Sequence, residues 1–253
     1  LFRSTLPSSD DTDKKSQESW VIGPFLRPEG VNPVLVPQPT SFYCPMRKEQ
    51  VKWEESDIFN PAATVKDGKI VVLYRGEDNS AQGIGKRTSR IGYAESTDGA
   101  TMKRLDSPVL FPGGDEFESI ECPGGCEDPR VAMTEDGLYV MLYTAWNRKT
   151  PRLAVATSKD MKNWTKHGLA FEKAYDGRFA RIATKSASML TKVKGGKLVI
   201  DKVDGKYFMY WGEYAVHAAT SHNLTDWYPV LDKNNGLLEI AKPRNGYFDS
   251  QMT

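Results

Sequence analysis

The sequence predicts an all-β fold assembled from repeated four-stranded units, the blades of a β-propeller. Three observations predict it. First, one stretch recurs three times: Asp67-Gly68-Lys69-Ile70-Val71-Val72-Leu73-Tyr74-Arg75, then Asp136-Gly137-Leu138-Tyr139-Val140-Met141-Leu142-Tyr143-Thr144, then Asp204-Gly205-Lys206-Tyr207-Phe208-Met209-Tyr210-Trp211-Gly212. The Asp-Gly pairs stand 69 and 68 residues apart. Second, a short motif follows each copy: Ser96-Thr97-Asp98, Ser158-Lys159-Asp160 and Ser221-His222-Asn223. Third, helical periodicity is nearly absent. A fixed period with strand–turn–strand content marks a radial or stacked repeat. Units of about four strands at such a period are propeller blades.

Each element has a local reason. Asp-Gly pairs make tight hairpin turns because those turns need positive φ, which glycine supplies. The runs around them carry Val, Ile, Tyr, Phe and Leu, as strands do. A further strand follows, such as Ile91-Gly-Tyr-Ala-Glu95 or Arg152-Leu-Ala-Val-Ala-Thr157. The Ser-x-Asp turn then leads to a strand holding Trp164 or Trp227, each six residues after its serine. Those tryptophans read as core between units. At the observed spacing, 253 residues supply fewer than four units. An open arrangement would expose strand edges, which proteins avoid. The expectation is therefore a propeller of which this chain covers only part, its C-terminal portion missing.

Composition bounds the rest. The 253 residues suffice for a sizeable core, and 39% hydrophobic with 26% charged residues is the balance of a globular protein. The net charge of +1 gives no electrostatic case for a nucleic-acid partner. No apolar run of about 18 residues occurs, so no membrane span is expected. Residues 1–19 read as a polar N-terminal tail, and 20–253 as one propeller domain. The three cysteines, Cys44, Cys122 and Cys126, are too few and too odd for a disulfide framework. A small Cys122–Cys126 loop stays open. No Cys/His pairs stand at ligand spacing, so neither metal nor cofactor is expected. The sequons at Asn163 and Asn223 fall inside the repeated turns and read as structural.

The chemistry sits where the copies differ. The first strand of each unit opens on Asn60-Pro61-Ala62, Glu127-Asp128-Pro129-Arg130 or Lys185-Ser186-Ala187-Ser188. Proline cannot donate to a ladder and belongs at a strand start. Around a common axis, Asn60, Asp128 and Lys185 become part of one polar ring. The next strands end in Arg75-Gly76-Glu77-Asp78, Thr144-Ala145-Trp146-Asn147-Arg148 and Gly212-Glu213-Tyr214, aimed at the same region. Carboxylates, Arg, Asn and aromatic rings together are what a sugar site requires, and two carboxyls can work as acid and base across a glycosidic bond. Salt bridges at unit rims are the other reading of these charges.

Phe59-Asn-Pro-Ala62, Leu73-Tyr-Arg-Gly76, Gly125-Cys-Glu-Asp-Pro-Arg130, Tyr143-Thr-Ala145, Ala156-Thr-Ser-Lys-Asp160 and Tyr247-Phe-Asp-Ser250 resemble glycoside hydrolase family 130 over about Trp53 to Thr253. The resemblance implies a five-bladed β-propeller acting on β-mannosides, by inverting phosphorolysis or, in a smaller set, inverting hydrolysis. It implies a Glu-x-Gly-Pro-Pro strand after Phe-Asp-Ser, which this sequence does not contain. It implies Asp128 as catalytic acid, its proton relayed through a mannose hydroxyl. Asn60, Arg75, Arg90, Arg130, Lys185 and Asp249 are the substrate-binding candidates. A periplasmic or cell-envelope location follows from the family's habit. Oligomeric state is not readable.

The nucleophile divides the family. Phosphate needs a cationic clamp, and the candidates are Arg148, Lys166 and His167. Hydrolysis needs a base for water, and Glu213 stands where one could face the sugar. Glu213 tips the expectation toward an inverting hydrolase releasing mannose from non-reducing ends of β-mannosides, with a β-1,2 linkage. A β-mannoside phosphorylase is the alternative, and a non-catalytic sugar-binding propeller the more distant one.

Overall fold

The computed structural model describes residues 26–195 and 197–242. The polar tail and Asp249 lie outside the described residues. A hairpin comes first, β1 (Gln38–Cys44) and β2 (Glu49–Glu54). The first unit is an antiparallel meander of β3 (Asp57–Lys66), β4 (Lys69–Glu77), β5 (Ser89–Ser96) and β6 (Lys103–Arg104). A four-residue helix, α1 (Glu118–Glu121), leads to the second. That unit is β7 (Gly125–Met133), β8 (Tyr139–Trp146), β9 (Pro151–Ser158) and β10 (Thr165–Leu169).

The third unit carries insertions. It opens on β11 (Ala187–Met189), then departs into a hairpin, β12 (Thr191–Lys194) and β13 (Lys197–Ile200), and a short β14 (Lys202–Val203). It resumes with β15 (Lys206–Trp211), β16 (Val216–Ser221) and β17 (Trp227–Pro229), in the order β11-β15-β16-β17, and β18 (Glu239–Ala241) extends the β16 edge. The units also touch. β5 meets β7 in parallel at Ser89 and Gly125, and β13 meets β7 at Val199 and Met133.

The turns follow the sequence reading twice out of three. Asp67-Gly68 and Asp204-Gly205 both adopt positive φ, as two-residue hairpin turns need. Asp136-Gly137 does not: only Gly137 has positive φ, in a five-residue loop where the Thr134 hydroxyl bonds Asp136 and the Leu138 amide. The serine turns repeat atom for atom. Ser96, Ser158 and Ser221 each accept two amides, from residues two and three ahead. Asp98, Asp160 and Asn223 cap the next turn. Both sequon asparagines spend their side chains on such bonds.

The sheets are buried on both faces, which explains their nearly continuous apolar strands. Successive residues point to opposite faces. On β8, Val140 and Leu142 enter a core with Phe171 and with Trp211 and Trp227 of the third unit, while Met141 and Tyr143 enter a core with Leu73 and Tyr93 of the first. Trp227 is fully buried and Trp164 partly so, between units as expected. The β1–β2 hairpin covers the other face of the first unit with Phe42 and Trp53 against Tyr74. The three cysteines are free thiols.

Gly125 is where the first two units meet most closely. Its φ is 108°, and a Cβ there would sit 2.0 Å from the Ser89 carbonyl oxygen. Gly125→Ala therefore forces the units apart. The expected loss is at least about 2–4 kcal/mol, read as a lower urea midpoint, and an unchanged midpoint would show that the contact is not tight.

Candidate active site

The site starts from a bulge that occurs twice. On β3 the pairing with β4 slips between Phe59 and Ala62, and on β7 the pairing with β8 slips between Glu127 and Arg130. The slipped residues are Asn60-Pro61 and Asp128-Pro129. Proline has no N–H to place in the ladder, so a bulge suits it. Asn60 and Asp128 take φ of 45° and 50°, a region that Asn and Asp tolerate better than most residues. Bulges re-aim side chains. Here they turn the two residues toward each other, and Asn60 Nδ2 donates to Asp128 Oδ1 at 2.9 Å.

Arg75, on β4, organises the rest. Its Nη1 donates to the same Asp128 Oδ1 at 3.0 Å, so two donors fix that carboxyl. Its Nη2 donates to Glu77 Oε1 at 2.6 Å and to Glu127 Oε1 at 2.8 Å. Its Nε donates to Ser89 Oγ at 3.0 Å, and that hydroxyl donates on to Glu77. Its face lies 4.5 Å from the Phe59 ring centroid. Arg75, Glu77 and Glu127 are buried to 2% exposure or less, whereas Asp128 keeps 11%. Burial disfavours the Arg75 charge, but Glu127, Asp128 and Glu77 outweigh it and hold the guanidinium charged. Burial pushes the Glu127 carboxyl up, with Arg75 and Lys185 pulling back.

The third unit joins through Lys185 and Glu213. Lys185 Nζ stands 3.7 Å from Glu127 Oε2. Glu213 follows β15 at the end that pairs with the start of β11. Its carboxyl is pushed up by burial; Lys185 opposes this and the Asp128 charge adds to it. Its Oε1 is buried without a hydrogen-bond partner among the described residues. So residues of three units are linked in series: Asn60 to Asp128, and Asp128 and Lys185 to Glu213.

Other candidates fall elsewhere. Arg90 is fully buried on the opposite face of β5 from Ser89, where it bonds Asp78 and Cys44 and stacks on Phe42. Strand alternation sends it there, away from Asp128. Arg130 donates to its own Pro129 carbonyl and lines a cavity of about 570 Å³ among the first strands of the three units, with Ala62, Ser188 and Met189. Arg148 is exposed just beyond β8, at the end that pairs with Gly125. Lys166 and His167 sit on β10, three strands out from β7, or about 14 Å at the usual strand spacing. Lys166 is bonded by Asp115 and Glu121, and His167 by Thr157. The structure does not bring these two to Asp128. Among the described residues no cluster of three or more His, Cys, Asp or Glu could hold a metal, and no helix is long and apolar enough to cross a membrane.

Glu77, Ser89 and Glu127 had no assigned role in the sequence reading. The signal for the glutamates was their place in the Arg-Gly-Glu-Asp and Glu-Asp-Pro-Arg blocks. Ser89 carried none.

Strands from three units thus bring a tethered carboxyl, Asp128, and a second carboxyl, Glu213, to one end of the sheets. Comparison makes the family definite. The chain belongs to glycoside hydrolase family 130: residues 39–252 match the family model described as β-1,4-mannooligosaccharide phosphorylase. A 1,2-β-oligomannan phosphorylase from Thermoanaerobacter sp. (strain X514) is 32% identical over 78% of this chain and 61% of its own. A crystal structure from Bacteroides ovatus ATCC 8483, provisionally described as a glycoside hydrolase, is 76% identical over 89% of this chain and 64% of that one, with a TM-score of 0.85. A third structure was reported with the finding that this family of mannoside phosphorylases contains glycoside hydrolases that target β-1,2 mannosidic linkages in Candida mannan. It is 57% identical over 90% of this chain and 64% of that one, with a TM-score of 0.88. The chain thus spans less than two thirds of the length of these relatives.

Removing the guanidinium tests its central place. Arg75→Met leaves the buried Glu77 and Glu127 and the partly buried Asp128 without their shared cation, and breaking a buried pair costs about 3–5 kcal/mol. Orphaned carboxyls hold protons more tightly folded than unfolded, so the variant's stability falls as pH rises. Urea melts at several pH values should show the deficit widest at neutral pH, shrinking as pH falls toward the unfolded carboxyl pKa of about 4. A deficit independent of pH contradicts the charge argument.

Proposed function

We propose that this chain is the larger part of a five-bladed β-propeller that cleaves β-mannosides by single displacement with inversion, water being the nucleophile. One observation carries the reading. Asp128, pinned by Asn60 and Arg75, shares its surroundings with Glu213, a carboxylate of another unit whose Oε1 has no partner among the described residues. An inverting site needs two carboxyls flanking the bond, about 6.5–9.5 Å apart to admit a water. Asp128 gives the proton to the departing oxygen, through a mannose hydroxyl if the relay that the family resemblance implies operates. Glu213 takes the proton of the attacking water, and the released mannose is the α-anomer. Asn60 and Lys185 are placed to hold sugar hydroxyls. Arg75, buried beneath, orients Asp128.

Phosphorolysis is the second reading, and a specific observation favours it. The curated relative is a phosphorylase, and the family model is described as one; these names back phosphate better than water as nucleophile. Two features support water instead. Glu213 would repel a phosphate, and Lys166 and His167 are committed elsewhere, leaving Arg148 as the one of the three suggested clamp residues at the right end of its sheet. The structure reported with β-1,2-mannoside hydrolases is also more similar, at 57% identity. β-1,2-Mannosides are the proposed substrate, and the periplasm or cell envelope the proposed setting.

Product analysis on β-1,2-mannobiose separates the readings. Hydrolysis gives two mannoses at a rate indifferent to phosphate, whereas phosphorolysis gives α-mannose 1-phosphate and stops without phosphate. Asp128→Asn should lower kcat about 10²–10⁴-fold with little loss of binding, and unchanged turnover would remove Asp128 from the chemistry.

Glu213 must be ionised to act as base, and burial holds its proton more tightly than an ordinary glutamate's. Activity should therefore fall as pH drops through a midpoint above about 4.3. Glu213→Gln should abolish hydrolysis at every pH, and a kcat/KM profile that keeps this acid limb in the variant excludes Glu213 as the base.

A further inference from the structure

Two polar atoms are buried without partners in one cleft. The cleft, of about 470 Å³, lies on the third unit, between the segment that leads into β11 and the loop from β15 to β16. Those two segments are tied side by side. The Gly212 amide donates to the Ser186 carbonyl at 3.0 Å, and Ala187 pairs with Trp211. Thr184 lines the cleft at 1% exposure, and its Oγ1 has no hydrogen-bond partner among the described residues. Glu213 lines it too, with its Oε1 in the same condition. Asn60, Arg75 and Asp128 do not line it. Folded proteins pair nearly all their buried polar groups. Two unpaired groups in one cleft point to a ligand that completes them.

The lining sets the chemistry of that ligand. A carboxylate oxygen can only accept, so the ligand brings a donor to Glu213, while a threonine hydroxyl takes either role. An anion is disfavoured. Glu213 and Glu239 both line the cleft, and the lysine among the lining residues, Lys242, pairs with Glu239 at 2.5 Å. Rings supply an apolar surface. The Trp211 and His217 centroids lie 4.8 Å apart, and each ring is fixed by a backbone carbonyl: Trp211 Nε1 donates to Ala218 and His217 Nδ1 to Leu238. Tyr214 lines the cleft at 68% exposure. A pyranose matches this set, with hydroxyls for the two polar atoms and C–H faces for the rings. The volume is in the range of small-ligand sites and far above the roughly 30 Å³ of one water.

We propose that this cleft is a second sugar position, in which a hexopyranose bonds Thr184 Oγ1 and Glu213 Oε1 through its hydroxyls. Mannose is the hexose expected, because the neighbouring site is read as releasing it. That choice of sugar rests on the proposed function; the polarity and shape of the cleft do not.

The test is a titration of the protein, ¹³C-labelled at its alanine methyls, with D-mannose. Ala183 and Ala215 both line the cleft, and their signals are assigned through Ala183→Gly and Ala215→Gly. Both should move along one saturable curve. Thr184→Val should weaken the Kd of that curve about 2–10-fold, the worth of one neutral hydrogen bond, and Thr184→Ser should restore it. The urea midpoint of Thr184→Val without mannose should not fall, because valine replaces an unpaired hydroxyl. Methyls that stay still at saturating mannose, or a Kd unchanged in Thr184→Val, overturn the site. So do methyls that answer inorganic phosphate and not mannose. A Thr184→Val with a lower midpoint, or one that does not fold, shows the hydroxyl to be a structural one and overturns the site as well. Shifts that depend on Thr184 in a protein that cleaves no β-mannoside keep the cleft and discard the cleavage reading, and cleavage with unmoved methyls does the reverse.

Discussion

One buried guanidinium holds the centre of this molecule. Arg75 donates in three directions, to a hydroxyl of its own sheet, to Glu77 beside it, and to two consecutive carboxyls of the neighbouring sheet. A planar fork of five donors in fixed directions makes these four bonds at once, one more than the three N–H groups of an ammonium could supply. The first two units are therefore joined at their inner edge by more than the Ser89–Gly125 backbone contact. Their apolar cores set the distance between sheets. Arg75 sets which residues face one another once that distance is fixed.

Such a cluster is a poor way to gain stability. Withdrawing charges from water is costly, and an apolar replacement of similar volume is often no worse. Positive φ at two non-glycine residues adds strain. Cost and strain together at the point where three units meet fit a site where orientation matters more than stability. The same molecule supplies a contrast. Lys166 is also buried between two carboxylates, but on an outer strand, and there the pairing ties Asp115 and Glu121 to the sheet edge.

How much of this was legible follows from range. Hairpin turns, serine caps and strand composition are decided by residues within a few positions of one another, so period and fold class could be read from the chain. The β12–β14 insertion escaped because it lies inside a repeat whose Asp-Gly spacing stays near constant. Where Arg90 ends up turns on parity. A strand shows one side of itself every second residue, and its phase is fixed by register, which the sequence does not state. Ser89 faces Arg75, and Arg90 faces the β1–β2 hairpin. Lys166 and His167 stand among the phosphate-clamp candidates in sequence because their partners Asp115, Glu121 and Thr157 reach them only once the sheets fold.

The comparison between copies explains why a repeat protein can build an asymmetric site at all. The backbone device is shared: a slipped pair with proline in second place aims Asn60 and Asp128 inward alike. Only the side chain changes. An amide in the first unit can donate but not ionise, and a carboxyl in the second can hold or release a proton. An ammonium in the third supplies positive charge beside Glu127. Uniform copies would have put like groups face to face, three carboxylates repelling or three ammonium groups unpaired. Divergence at one position per unit turns a ring of equivalent sites into a gradient from donor to acid to cation, and Glu213 lies at its far end, where Lys185 and Asp128 pull its charge in opposite directions.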